Sequence, residues 1–124
     1  MSKPIIAISL GDPAGIGPEI LVHTVTDESV NKVARCLVYG DARVIEKAAQ
    51  EAKVALKVRA ISQPSEAIYT PGSVEVIHLA NANPADFEPG KVQALCGKAA
   101  WEYIEAMVQA ALHGEVEVVN TAPI

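Results

Sequence analysis

The residues with the greatest potential for chemistry lie in the stretch GDPAGIGPE, which runs from Gly11 to Glu19. Its three glycines, Gly11, Gly15 and Gly17, predict a backbone that adopts positive φ and comes close to a ligand. A helix that begins at Pro18 would leave backbone N–H groups pointing back at the loop, where an anion could bind. The glycine spacing matches neither the dinucleotide-binding fingerprint nor a P-loop.

A purely structural role for the same loop is the competing interpretation. In that case it is a tight turn between a strand and a helix, with Asp12 bonding the loop backbone, Pro13 stiffening it and Glu19 complementing the helix dipole. Loops at the carboxyl ends of strands carry function often, so the residue types alone leave both interpretations open.

A second polar segment follows the apolar run Val116–Val119, which we predict to be the last strand. Asn120 and Thr121 would then emerge at the carboxyl end of that strand. If the first and last strands are parallel neighbours, both polar segments open onto the same crevice. The candidate residues lining this crevice are Gly11, Asp12, Gly15, Gly17, Asn120 and Thr121.

Other reactive side chains have simpler explanations. His23, His78 and His113 are isolated, so we assign no catalytic triad and no metal-binding residue to this chain. Trp101 and Tyr103 are expected in the core or an interface, and Arg59 and Lys91 are expected as solvated charges. The two cysteines lack metal-site spacing; we predict reduced thiols at Cys36, a small buried side chain, and at Cys96.

Apolar runs alternate with turn residues in a rhythm typical of a parallel sheet with crossover helices. The predicted strands are Pro4–Leu10, Arg35–Tyr39, Ala55–Ile61 near a sheet edge, Val74–Leu79 and Val116–Val119. The predicted helices are a well-buried one from Pro18 to about Thr26, one from Ala42 to Ala52 with Asp41 as its N-cap, and one from Lys91 that ends before Gly114. Residues 62–72 are expected to be a loop with a turn of helix near Glu66.

The long helix is most regular between Ala99 and Leu112. Apolar residues recur there at steps of three and four, so we expect them to face the sheet together. They are Ala100, Tyr103, Ile104, Met107, Val108, Ala111 and Leu112. The predicted fold class is therefore α/β, a three-layer sandwich around a largely parallel sheet, without an internal domain boundary.

Composition limits the classes of partner. The chain has 124 residues, 10 lysines and arginines against 15 acidic residues, and a formal net charge of -5, with its basic residues scattered. Nucleic acid and anionic membranes are thus not expected as partners. No apolar run approaches the length of a membrane span, and the start MSKPIIAISLGD resembles a first strand more than a signal peptide. We expect a cytoplasmic protein.

The stretch IAISLGDPAGIGPEI resembles the amino-terminal signature of the 4-hydroxythreonine-4-phosphate dehydrogenase family, with every position from Gly11 to Glu19 matched. The later EPGKVQALCGKAAWEYIEAMVQAALHGEVEVVNTAPI is similar to the same family, and its GKVQA run resembles the branch that acts on D-threonate or D-erythronate 4-phosphate. This resemblance implies a fold like that of isocitrate and isopropylmalate dehydrogenases, with two lobes around a cleft in a homodimer.

The resemblance also implies a reaction. NAD would accept a hydride from the secondary hydroxyl of a phosphorylated hydroxy acid, and the resulting β-keto acid would lose CO2. A divalent metal (Zn, Mg or Co) would bind the hydroxyl and carboxylate oxygens and polarise the new carbonyl. The family's substrate-binding His-Thr pair, metal-binding histidines and lysine would all lie beyond Ile124.

Because no crossover helix follows the polar residues at the end of the last strand, we expect residues 1–124 to be the amino-terminal α/β portion of a longer two-lobed dehydrogenase. The portion alone is then expected to be inactive. The alternative is a free-standing, non-catalytic α/β module that binds a phosphorylated metabolite or nucleotide.

Overall fold

The computed structural model describes residues 3–124; Met1 and Ser2, which precede the predicted first strand, lie outside the described residues. Five parallel strands form one sheet in the order β3-β4-β2-β1-β5. The elements along the chain are β1 (Ile5–Ser9), α1 (Gly17–Val25), α2 (Glu28–Val33), β2 (Arg35–Gly40), α3 (Ala42–Glu51), β3 (Lys57–Ile61), β4 (Ser73–His78), α4 (Ala94–Leu112) and β5 (Val118–Thr121). Two single 3₁₀ turns, Pro64–Glu66 and Pro84–Asp86, lie in the loops that flank β4.

The strand order explains the layers. From β1 through β2 to β3 the chain moves toward one edge of the sheet, and right-handed crossovers place α1 and α3 on the same face. From β4 to β5 the chain moves the opposite way, so α4 crosses the other face. In agreement, α1 packs against α3, and α4 packs against β1, β2 and β5. The predicted α/β sandwich is confirmed, and its sheet is parallel throughout the described residues.

The core lies on both faces of the three central strands. β2 and β4 supply fully buried side chains because each is flanked by a strand on either side and a helix layer on both faces. Asp41 caps α3 as expected, since its carboxylate accepts from the backbone N–H of Arg43. Gly114 ends α4 with a φ of 73°. The predicted edge position of the third strand is also confirmed.

The bounds of two elements were wrong, and one short helix was not predicted. The last strand runs from Val118 to Thr121 instead of Val116 to Val119, because Val116 is buried in the connection that precedes the strand. The long helix begins at Ala94 instead of Lys91. The short helix α2 had no counterpart in the prediction; none of its residues is buried, so it leaves no apolar periodicity.

The prediction of which side of α4 faces the sheet was also partly wrong. Tyr103 and Met107 are buried as expected, but Val108 is 39% and Leu112 75% exposed. Trp101, expected in the core or an interface, is 63% exposed and therefore does not belong to the core. The side of α4 that faces the sheet consists mostly of small residues. The spacing of apolar residues alone does not distinguish this side from the adjacent, larger apolar side chains. The buried residues of α4 are Cys96, Ala99, Ala100, Tyr103, Met107 and Ala110. The first helix likewise leaves Ile20 44% exposed, although it was expected to be well buried.

Two basic residues differ in their environment. Arg59 is not a simple solvated charge, because its guanidinium lies 3.1 Å from the Glu75 carboxylate, which is 1% exposed. Lys91 forms an ion pair with Glu88 at 2.6 Å, with both side chains 68% exposed. Neither cation therefore points to an anionic ligand.

The cysteines are both free thiols, as expected. Cys96 is buried, whereas Cys36 is only partly buried, contrary to the expectation for it, and burial raises the pKa of both thiols. Within residues 3–124, no helix combines the length and apolar character needed to cross a membrane.

Candidate functional site

The two predicted site segments lie side by side because β1 and β5 are neighbouring parallel strands. The backbone N–H of Asp12, in the loop after β1, donates to the carbonyl oxygen of Pro123, after β5, over 3.1 Å. Gly11 has a φ of 74°, and a Cβ built on it would lie 2.3 Å from the same carbonyl oxygen. Gly11 is therefore required by the contact between the two segments.

The other glycines of the loop differ from the expectation. Neither Gly15 nor Gly17 has a positive φ. A Cβ on Gly17 would lie 2.4 Å from the carbonyl oxygen of Leu10, so its close approach is to the preceding strand. A Cβ on Gly15 would meet only Asp12, at 3.5 Å, and Gly15 itself is exposed. The prediction that all three glycines supply positive φ was wrong for two of them.

Asp12 stabilises the loop through its own backbone, as the structural interpretation expected. Its Oδ1 accepts from the backbone N–H of Ala14 at 2.8 Å, and its carbonyl oxygen accepts from the N–H of Gly15 at 3.0 Å. The carbonyl oxygen of Ala14 in turn accepts from the N–H of Gly90 at 2.7 Å. The loop is thus anchored to its own turn, to the end of β5 and to the segment before α4.

The first turn of α1 opens at the same edge of the sheet. Ile16 is the N-cap residue and makes no side-chain capping bond, so the backbone N–H groups at Gly17 and Glu19 have no helical partner. Pro18 at the start of the helix has no N–H to offer. Ile16 is 62% exposed, which leaves the turn accessible from solvent. Such an end suits a negatively charged group of a ligand.

The last two residues of β5 point to opposite faces of the sheet. Thr121 lies beside Ser9, and Asn120 lies beside Ile8 in the parallel register. The hydroxyl oxygens of Ser9 and Thr121 are 2.6 Å apart. The single hydroxyl proton of Thr121 is donated to the carbonyl oxygen of Ala122 at 2.9 Å. The Ser9 hydroxyl is therefore the donor in its bond with Thr121. Both predicted residues are within the strand and not after it, which corrects their expected placement. Ser9 is 0% exposed and sequence reasoning missed it.

A groove lies on each side of the loop. One, of about 310 Å³, runs between the loop and α3 and is lined by Pro13, Pro18, Val44, Lys47 and Phe87 among others. The other, of about 300 Å³, runs along α1 and the end of β5; Ile20, Thr24 and Asn120 line it. The six predicted cleft residues therefore come together at one edge of the sheet, between two open grooves.

A second polar cluster occupies the same edge, after β2 and β4. The buried carboxylate of Asp41 accepts from the side chain of Arg43 at 2.8 and 3.0 Å and from the N–H of Ala82 at 3.0 Å. Burial raises the pKa of the Asp41 carboxyl, but the bonds from Arg43 and Ala82 outweigh that effect and bring the pKa below its usual value. The cluster fixes the segment after β4. In the sequence this cluster is indicated by the Gly40-Asp41 pair at the end of β2, which resembles the Gly11-Asp12 pair after β1.

Tyr103 and His78 complete this cluster. The Tyr103 hydroxyl donates to Asn81 Oδ1 at 2.8 Å, and burial raises the pKa of that phenol far above its usual value. His78 Nδ1 accepts from the backbone N–H of Ala42 at 3.0 Å, so its ring proton lies on Nε2. Tyr103 is therefore a core residue with one structural hydrogen bond, and His78 is engaged by the backbone.

The histidines remain apart from one another, and among residues 3–124 no three His, Cys, Asp or Glu side chains are grouped so that they could hold a metal. His23 is exposed on α1, and His113 at the end of α4 contacts the carbonyl oxygen of Gln109. The described residues thus do not fit a divalent metal, and the first turn of α1 offers only backbone N–H donors.

Similar proteins share this architecture over almost the whole chain. A D-threonate 4-phosphate dehydrogenase, provisionally so named, from Clostridium botulinum (strain Hall) is 41% identical over 123 residues, which cover 99% of this chain and 37% of the relative. A protein of the same name from Halalkalibacterium halodurans is 45% identical over 122 residues, covering 98% of this chain and 36% of the relative. The chain thus spans little more than a third of the length of these relatives.

Solved structures agree. A 4-hydroxythreonine-4-phosphate dehydrogenase from Burkholderia phymatum superposes with a TM-score of 0.94 at 36% identity, covering 98% of this chain and 36% of that one. The enzyme of that name from Klebsiella pneumoniae gives a TM-score of 0.88 at 32% identity over 98% of this chain and 37% of the other. The family described as pyridoxal phosphate biosynthetic protein PdxA matches residues 32–124. Because this family model covers most of the chain and the fold matches that of the solved relatives, the chain belongs to the PdxA family.

Proposed function

We propose that the full-length protein, of which this chain would form the amino-terminal α/β portion, is an NAD-dependent dehydrogenase acting on a phosphorylated hydroxy acid. The observation that carries the proposal is the identity of 41% and 45% to relatives named as D-threonate 4-phosphate dehydrogenases, over nearly every residue of this chain. The geometry is compatible, because the two segments expected to line the cleft contact each other at the carboxyl edge of the sheet.

The proposed reaction has two steps. The carbon of the secondary hydroxyl transfers a hydride to NAD⁺ while the hydroxyl oxygen releases its proton, which gives a β-keto acid and NADH. The bond to the carboxylate carbon then breaks, CO2 leaves, and the electron pair passes to the ketone oxygen as an enolate that is later protonated. A divalent metal, when bound, would stabilise negative charge on the oxygens of the substrate.

This chain's own part in the proposal is to bind and orient. The free N–H groups at Gly17 and Glu19 would face an anionic group of the cofactor or substrate, and exposed Gly15 would let it approach. Gly11 and Asp12 would keep the loop in register with Asn120 and Thr121. Since the described residues do not fit a metal, we assign the metal to residues outside this chain and derive no step of this chain's residues from it.

The test is to produce the full-length gene product and measure NADH formation with 4-hydroxythreonine 4-phosphate, D-threonate 4-phosphate and D-erythronate 4-phosphate. Each assay is run with and without a chelator, and CO2 release is measured beside NADH. We expect chelator-sensitive turnover of at least one substrate by a cytoplasmic homodimer. Absence of NADH with all three substrates would refute the substrate class.

The binding module remains the competing function for the 124-residue chain. We expect this chain to show no NADH production with any of the three substrates, and calorimetric titration with NAD then measures whether it binds the cofactor alone. Metal-dependent NADH production by residues 1–124 would contradict the assignment of the metal to other residues. A natural stop codon directly after the codon for Ile124 would favour the module.

A further inference from the structure

A cavity of about 460 Å³ lies at the amino-terminal edge of the sheet, opposite the edge that carries the candidate functional site. Its walls come from the segment before β1, from the end of α1, from α2, and from the first residues of β2 and β4. Since β2 spans about 20 Å from one edge to the other, the cavity and the candidate functional site are separate places. Its volume falls within the range of about 300–1,000 Å³ that is usual for small-molecule sites.

Three basic side chains meet in this cavity although they are scattered in the sequence. Lys3, Lys32 and Arg35 all line it. Among residues 3–124, none of the three has a carboxylate oxygen within 4 Å. A chain whose formal net charge is -5 thus brings three of its 10 basic residues together here without pairing them. These like charges repel one another, and an anion between them would relieve the repulsion.

Arg35 is held in a fixed orientation by the fold. Its Nε donates to the carbonyl oxygen of Lys3 at 2.7 Å, and its guanidinium lies over the ring of Tyr69, with Cζ 5.3 Å from the ring centroid. Neither contact uses the two terminal nitrogens, which form the fork that binds a phosphate group. Lys3 is anchored as well, since its Nζ donates to the carbonyl oxygen of Asn31 at 2.6 Å. The cationic groups are therefore positioned by contacts within the chain.

Tyr69 is itself placed by a buried carboxylate. Glu75 is 1% exposed and accepts from the backbone N–H groups of Ile68 and Tyr69 at 3.0 and 3.3 Å. A third bond, from Arg59 at 3.1 Å, completes the pairing of this carboxylate. Tyr69 has a φ of 53°, which is uncommon for a bulky residue and persists only where surrounding contacts impose it. The buried charge and the strained backbone together fix the ring against which Arg35 packs.

We propose that this cavity binds the phosphate group of a small phosphorylated metabolite. The phosphate dianion would accept from the terminal nitrogens of Arg35, with Lys3 and Lys32 supplying further positive charge. Of the two carboxylates in the lining, Glu75 is paired within the fold and Glu28 is exposed, so the cations remain in excess. The rest of the cavity has room for the organic part of the ligand. The proposal does not depend on the proposed enzymatic function.

The test is calorimetric titration of the full-length gene product with inorganic phosphate, glycerol 3-phosphate and succinate at low ionic strength. The full-length product is used so that any segment outside residues 1–124 that packs into the cavity is present. We expect both phosphates to bind, glycerol 3-phosphate at least as tightly as inorganic phosphate. Succinate should bind at least fivefold more weakly, because its two charges lie on separate carboxylates.

Substitutions locate the binding. Arg35→Gln removes the guanidinium fork and should weaken phosphate binding at least tenfold, whereas Arg35→Lys keeps the charge and should weaken it less. Lys32→Gln should weaken binding severalfold. Lys57→Gln is the matched control, because it removes the same charge from an exposed lysine at the start of β3 that lies outside the lining, and it should change the affinity less than twofold. Circular dichroism checks the fold of each variant.

Steady-state kinetics separate this cavity from the candidate functional site. Arg35→Gln should leave the KM of any substrate that gives NADH unchanged, because Arg35 lies at the opposite edge of the sheet. A KM that rises together with the loss of phosphate binding would place the substrate's own phosphate here and overturn the proposal of a separate site. Absence of phosphate binding, equal binding by the wild type and Arg35→Gln, or tighter binding of succinate than of either phosphate would also overturn it. These three outcomes are read by calorimetry and hold whether or not NADH is formed.

Discussion

The backbone N–H of Asp12 donates to the carbonyl oxygen of Pro123 over 3.1 Å, although 111 positions separate the two residues in the sequence. This bond closes the switch point of the sheet, where the crossover connections from β1 and into β5 leave in opposite directions. The loop after β1 and the residues after β5 therefore form one continuous surface at this edge, without a gap between them that a ligand could enter. The position of either segment depends on the other.

Gly11→Ala should be the most damaging substitution in the loop. The new Cβ would lie 2.3 Å from the carbonyl oxygen of Pro123, and a φ of 74° is unfavourable for alanine, so we expect a loss of about 3 kcal/mol or more in the free energy of unfolding. Urea denaturation measures it. Gly114→Ala is the matched control, with a φ of 73° and no atom within 4 Å of the new Cβ, and should cost about 1–2 kcal/mol. Equal losses would show that the contact with Pro123 is unimportant.

The hydroxyl pair between Ser9 and Thr121 should contribute a measurable coupling energy. The two oxygens are 2.6 Å apart and Ser9 is fully buried, so Ser9→Ala removes a donor that water does not replace. We expect a loss of about 1 kcal/mol for Ser9→Ala and a smaller additional loss when Thr121→Ala follows it. A double-mutant cycle of unfolding free energies gives the coupling, for which we expect about 0.5–1.5 kcal/mol. Strict additivity would mean that the hydroxyls do not interact in solution.

Glu75 should be much more sensitive than other carboxylates. Its buried side chain accepts from Arg59 at 3.1 Å and from the backbone N–H groups of Ile68 and Tyr69 at 3.0 and 3.3 Å. Glu75→Gln replaces a carboxylate oxygen with an amide NH2 group, which cannot accept from these donors. We expect the free energy of unfolding to fall by about 2–4 kcal/mol. The loss is limited because half-exposed Arg59 can still be hydrated. Glu88→Gln, in the exposed pair with Lys91, should change stability by less than about 0.5 kcal/mol. Similar effects at both positions would contradict the role of burial.

The sequence predicted the order of elements better than the contacts between them. Alternating apolar runs located all five strands, since parallel strands buried on both faces carry continuous signals. The same runs could not reveal that Thr121 bonds Ser9, because a hydroxyl pair between distant strands leaves no local pattern. Gly17 illustrates a similar limit. The sequence indicates a required glycine, but only the folded structure reveals that the carbonyl oxygen of Leu10 leaves no room for a Cβ.

The stability of the chain in acid should depend on Asp41. Hydrogen bonds from Arg43 and Ala82 overcome the effect of burial and lower the pKa of Asp41 in the folded state, so the unfolded state binds the proton more tightly. The stabilisation is then complete above the unfolded pKa of about 3.9 and is lost as the pH falls through the lower, folded pKa.

Asp41→Asn should be less stable than the wild type at pH 7, by about 1–3 kcal/mol, and this difference should shrink below about pH 4. Urea unfolding from pH 7 to pH 2 measures the difference. Asp27→Asn, at an exposed N-cap, is the control and should show a smaller effect. A gap between wild type and Asp41→Asn that stays constant down to pH 2 would show that folding does not lower the pKa of Asp41, and would contradict the role of these hydrogen bonds.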